Sequence, residues 1–97
     1  MTDQTVDDAF VRLASAHIDL ANAQARSNPQ ELVAVALLHA AARYNAFAGS
    51  KVARTGVELQ ALREDLINDQ VQQFRDALEH HYTGYVTELD ATPSTAG

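Results

Sequence analysis

The chain has 97 residues and a mass of 10.5 kDa, the size of one compact domain, in which folding hides roughly 64% of the surface exposed by the unfolded chain. Hydrophobic residues make up 46% and charged residues 21%, which excludes disorder and collagen-like repeats. Seven Lys plus Arg against thirteen Asp plus Glu leave a net charge of -6, a field that repels phosphate backbones and anionic lipid and argues against nucleic-acid and membrane partners.

With no cysteine there is neither a disulfide framework nor thiol chemistry. The opening MTDQTVDDAF is acidic and polar, unlike a secretory signal, and the longest uncharged run, Leu32 to Ala42, has eleven residues against the roughly 20 of a bilayer span. A soluble cytoplasmic protein is the expectation. Eighteen residues are alanine, Gly and Pro total six, and no β-branched alternation is sustained, so propensity favours helix throughout.

The first predicted helix covers about residues 7–26. Phe10, Leu13, Ala14, His17, Leu20 and Ala21 recur at helical spacing on one side, and Arg12, Ser15, Asp19, Asn22 and Arg26 on the other. Asp7 and Asp8 suit a helix start, and Pro29 disfavours helical geometry at Asn28. A second helix over 29–48 follows, with Asn28 as its cap, Pro29 at its first position, Glu31 three residues after the cap and Gly49 as a left-handed stop. Val33, Leu37, Ala40, Tyr44 and Phe47 share one of its faces, and Val35, Ala42 and Ala46 form a separate face of small residues. Apolar groups on both sides point to a central helix or to contact with another subunit.

Residues 49–54 form a short loop that holds the only lysine, Lys51. Thr55-Gly56-Val57-Glu58 fits a capping box, so a third helix runs from 56 to 89. Its apolar stripe takes Leu59, Leu62, Leu66, Ile67, Val71, Phe74, Leu78, Tyr82, Tyr85 and Leu89. Unbroken, that helix would be about 52 Å long, against a radius of gyration of roughly 13 Å for a chain this size. It must therefore bend, most cheaply at Gly84, or pack its end on a partner chain. Residues 91–97 have the composition of a mobile tail.

Few polar groups suggest chemistry. His17 sits amid the apolar residues of the first helix, where it is either a titrating or ligand-binding group or a neutral imidazole satisfied by one partner; burial demands a hydrogen bond in both cases, so the second reading is the simpler. Arg43 stands in an alanine run beside His39 and Asn45, where it could fork onto a carboxylate of a substrate or, more simply, of a neighbouring helix. Asp76, Glu79, His80 and His81 form the one cluster with metal-ligand types, but with neither a His-x-x-x-His pair nor a Glu-x-x-His motif it reads as a solvated set, and no metal or other cofactor is expected. Ser15 points away from His17, phosphate-binding glycine loops are absent, and no enzyme motif emerges.

Three stretches have a family likeness: Ala16-His17-Ile18-Asp19-Leu20-Ala21-Asn22, then Ala40-Ala41-Ala42-Arg43-Tyr44-Asn45-Ala46-Phe47, then Phe74-Arg75 with Leu78 and Tyr85. They resemble a family of short bacterial helical proteins known as domain of unknown function 3144, over about Asp7 to Leu89. The resemblance implies a helical fold and a bacterial cytoplasmic setting, brings no activity or cofactor, and singles out His17, Asn22, Arg43 and Asn45 as polar members of its signature. These four are a candidate polar junction between the first two helices.

The expected fold is all-α: a single domain over 1–97, built as a small antiparallel bundle of three helices, or three to four, with a long C-terminal helix. The expected function is a protein-interaction or self-association module without catalytic activity, as a homodimer or with another protein. The alternative is a small-ligand binder or minor enzyme using His17, Arg43 and Tyr44 in a cleft between helices. An acidic mimic of nucleic acid ranks last, since Asp and Glu are scattered over all three helices.

Overall fold

A computed structural model describes the backbone of residues 2–91 and the side chains of residues 7–91. The described chain is helical, with three helices and no strand: α1 (Thr2–Gln24), α2 (Gln30–Ser50) and α3 (Gly56–Ala91). Two five-residue connections, 25–29 and 51–55, join them. The expected mobile tail over 91–97 lies outside the described residues except for Ala91, which ends α3.

The chain divides into two compact units, Met1–Ala46 and Phe47–Gly97. In the first, α1 begins at Thr2 rather than at Asp7, so Asp7 and Asp8 lie inside the helix instead of capping it. Asn28 also differs from expectation. Its Nδ2 donates to the Gln24 carbonyl at 2.9 Å, so the side chain closes the last turn of α1 rather than covering a free N–H of α2. Both roles are open to an asparagine between two helices, and here the unpaired carbonyls behind it take the carboxamide. The Pro29 carbonyl starts the ladder of α2 by accepting from the Leu32 and Val33 N–H groups, each at 3.1 Å. Val33, 7% exposed, is the single buried hydrophobic among the described residues; Ala9, Ala21, Ala25 and Leu37 are half-buried in the same unit.

In the second unit, Gly49 is not a left-handed stop. No described glycine has positive φ, and α2 continues through Ser50. A Cβ added at Gly49 would meet Gln70 Nε2 at 3.3 Å and Leu66 at 3.9 Å, so glycine serves here to let α2 and α3 approach closely. The helix ends through tight i→i+3 turns at Lys51, Val52 and Ala53, and Ser50 Oγ donates to the Phe47 carbonyl at 2.7 Å. Lys51 Nζ lies 4.5 Å from the centre of the Phe47 ring, a cation–π contact that takes the lysine out of the bare loop. The capping box opens α3 as expected on the threonine side: Thr55 Oγ1 accepts from the Glu58 N–H at 3.1 Å. Glu58 reaches back one residue further than the motif requires, its Oε1 accepting from the Arg54 N–H at 3.2 Å.

Helix α3 runs 36 residues without interruption, about 54 Å at 1.5 Å per residue, and passes through Gly84 as regular helix. Of the two expectations for a helix this long, a bend at Gly84 or an end packed on a partner chain, no break in the helix marks the first. Leu59, Leu66 and Gln70 are its half-buried positions, and every residue from Val71 to Ala91 is exposed.

Candidate functional site

The four signature residues lie on α1 and α2. His17, Asn22, Arg43 and Asn45 are all exposed. The expectation that His17 is buried or lies in a cleft is therefore corrected. The apolar face it shares is itself open, with Phe10 at 68%, Leu13 at 63% and Leu20 at 58% exposure. Asn45 Nδ2 donates to the Ala41 carbonyl at 2.7 Å, a local bond one turn back on its own helix. Among the described residues no hydrogen bond or ion pair joins Arg43 to His17 or Asn22, and all three side chains are open to solvent.

The cluster near the middle of α3 is likewise local. Arg75 Nε stands 3.6 Å from Glu79 Oε2, an exposed i, i+4 pair, and Asp76 Oδ1 accepts from Gln72 Nε2 at 2.8 Å. The His80 and His81 rings meet edge to face with centroids 5.0 Å apart. Among the described residues no three His, Asp or Glu side chains converge as metal ligands would.

What remains as a site is apolar surface. Twenty-one large hydrophobic side chains are exposed across the three helices and the connection between α2 and α3. Part of it is an open, shallow surface on α3 alone, lined by Leu78, Tyr82 and Val86 together with Arg75, Glu79 and Thr83. The expected stripe already holds Val71, Leu78, Tyr82 and Leu89 of this line and lacks Arg75 and Val86, whose signal is the spacing: Val71, Arg75, Leu78, Tyr82, Val86 and Leu89 follow steps of four, three, four, four and three, close to the 3.6-residue period of a helix. The expected stripe through Phe74, Leu78, Tyr82, Tyr85 and Leu89 mixes this line with the residues beside it.

Helix α2 is long and apolar enough, by length and composition, to cross a bilayer. The eleven-residue uncharged run ends at Arg43, and the helix as a whole stays apolar despite that charge. His39 and Arg43 nevertheless fall near the middle of the helix, where a cation in lipid costs at least about 2.5 kcal/mol.

A protein-family model described as "Protein of unknown function (DUF3144)" matches residues 10–86, the greater part of the chain and all three helices. No curated protein and no solved structure matches.

Proposed function

Because the chain belongs to this family of unknown function, membership carries no activity with it, and we propose from the molecule itself a non-catalytic interaction module that associates with a second copy of its own chain. One observation carries the reading: among the described residues a single hydrophobic side chain is buried while twenty-one large ones are exposed. A chain this long that met its own needs would cover most of them, and apolar surface left open on this scale is where protein association gains its free energy.

The five-residue connections support antiparallel neighbours within each copy, since so few residues cannot carry the chain back along a helix of twenty residues or more. The bundle so formed is completed by the partner. His39 and Arg43 favour protein over lipid as the cover of α2, because a guanidinium at a protein contact can find a carboxylate, and in hydrocarbon it cannot.

The test is the solution mass of the purified chain across a wide concentration range, by light scattering after size exclusion. A mass approaching about 21 kDa, twice the 10.5 kDa of the chain, is the expected result. A mass of 10.5 kDa at every concentration overturns self-association, and a native partner of different sequence becomes the object of the search.

A further inference from the structure

We infer that the second copy docks on the C-terminal half of α3, helix against helix in antiparallel sense, with the two-fold axis at Tyr82 and Arg75 of each copy meeting Asp90 of the other. The inference rests on the self-association reading and assigns its surface and register.

From Val71 to Ala91 every residue of α3 is exposed, and Tyr82, at 67% exposure, is among those that line the open surface. At about 100° per residue, Val71, Arg75, Leu78, Val86 and Leu89 all fall within about 40° of the direction of Tyr82, and Glu79 and Tyr85 lie just outside that band on opposite sides. The face is thus a straight apolar ridge with one cation, Arg75, in its line. A helix-long surface of this kind is matched by another helix laid along it, as in ridge-and-groove packing.

Charge selects the occupant and its direction. A parallel pair in register would set Arg75 against Arg75 and Glu79 against Glu79, which is repulsive at both levels. An antiparallel pair about Tyr82 brings residues equidistant from it level with one another: Leu78 with Val86, and Arg75 with Leu89. In a two-fold pair of this sense the same rim of each helix meets its counterpart. Asp90 lies one residue past Leu89, on the rim that carries Arg75 and Glu79, so its carboxylate comes within about 1.5 Å, along the axis, of the level of Arg75 in the other copy. Tyr85 lies on the opposite rim, which it shares with Leu78, and the two pack across the interface. The arrangement is isologous: every contact occurs twice, and no unpaired cation is enclosed. Within one copy Arg75 pairs with Glu79 through an exposed contact at 3.6 Å of the kind that contributes little by itself, so its guanidinium has donors to spare for Asp90.

The chain contains no cysteine, so engineered thiols report the register directly. In the proposed pair, Leu78 of one copy and Tyr85 of the other are level to within about 1.5 Å along the axis, whereas two Leu78 residues are separated by about 12 Å, too far for a disulfide. An equimolar mixture of Leu78→Cys and Tyr85→Cys chains, oxidised mildly, is expected to give the mixed disulfide dimer, and Leu78→Cys alone is expected to stay monomeric on a denaturing gel. Equal cross-linking of Leu78→Cys with itself overturns the antiparallel register.

A charge swap gives a second measurement that survives any loss of cysteine-variant stability. Arg75→Glu is expected to weaken dimerisation on the order of tenfold, and Arg75→Glu with Asp90→Arg to restore it. Circular dichroism on each variant, at concentrations well above its own dissociation constant, confirms that the helices form. If the wild-type chain dimerises but the swap does not restore affinity and the mixed disulfide does not form, this interface is wrong and self-association stands. If the chain remains a monomer throughout, both readings fall, and the ridge then serves a different protein or a lipid surface.

Discussion

Gly84 lies inside α3 with nothing within 4 Å of where a Cβ would stand, so it has the conformational cost of glycine in a helix and none of the benefit of close approach. Gly84→Ala is expected to raise stability by about 0.5–1 kcal/mol, read as a higher midpoint in urea. Gly49 is the opposite case. Its Cβ position meets Gln70 Nε2 at 3.3 Å, and a larger side chain would run into Leu66, so Gly49→Leu is expected to lower the midpoint while Gly84→Leu does not. His17 belongs to the same scale. Because it is exposed, it leaves no buried hydrogen bond to lose, so His17→Leu is expected to change stability by no more than about 0.5 kcal/mol. A loss of about 2 kcal/mol or more, the scale of a broken buried network, would show that the imidazole holds a junction after all.

Helix ends decide the elements. Thr55 caps α3 through its hydroxyl, and Thr55→Ala is expected to cost about 1 kcal/mol, seen as a lower urea midpoint, with Thr55→Ser recovering most of it because the hydroxyl returns. The start of α3 is legible in the sequence because a capping box is a local motif, with threonine and glutamate three residues apart and the backbone between them. The end of α2 is not. Glycine after an apolar run reads as a stop in most contexts, and only the approach of Leu66 and Gln70, some twenty residues on in sequence, turns Gly49 into a contact residue. Asn28 departs from its expected role for a related reason: its position between the helices is visible in the sequence, but which unpaired backbone group its carboxamide takes depends on how the turn closes. The three helices themselves follow from alanine content and periodicity. Burial does not, because periodicity says which residues share a face and nothing about what covers it; His17 shares its side with Phe10 and Leu13, and all three are open.

For the molecule as a whole, the central balance lies between the apolar surface this chain covers and the apolar surface it leaves exposed. With Val33 as the one buried hydrophobic among the described residues, hydrophobic stabilisation within a single copy is small, while the ordering entropy of three helices is not. On the proposed self-association, folding and association are coupled, because a second copy would supply burial that the chain lacks, and the stability of a dimer contains protomer concentration explicitly. The thermal midpoint is accordingly expected to rise with concentration, by about 3 °C for each tenfold increase if both chains of the dimer unfold together. Calorimetry or circular dichroism over a hundredfold range measures this. Arg75→Glu, which would remove the proposed cross-copy pairing and leaves each helix its own caps, should lower the midpoint at high concentration and flatten its slope. A midpoint independent of concentration in the unaltered chain would mean that the three helices stand without a partner, and that the apolar ridge of α3 contributes nothing to folding.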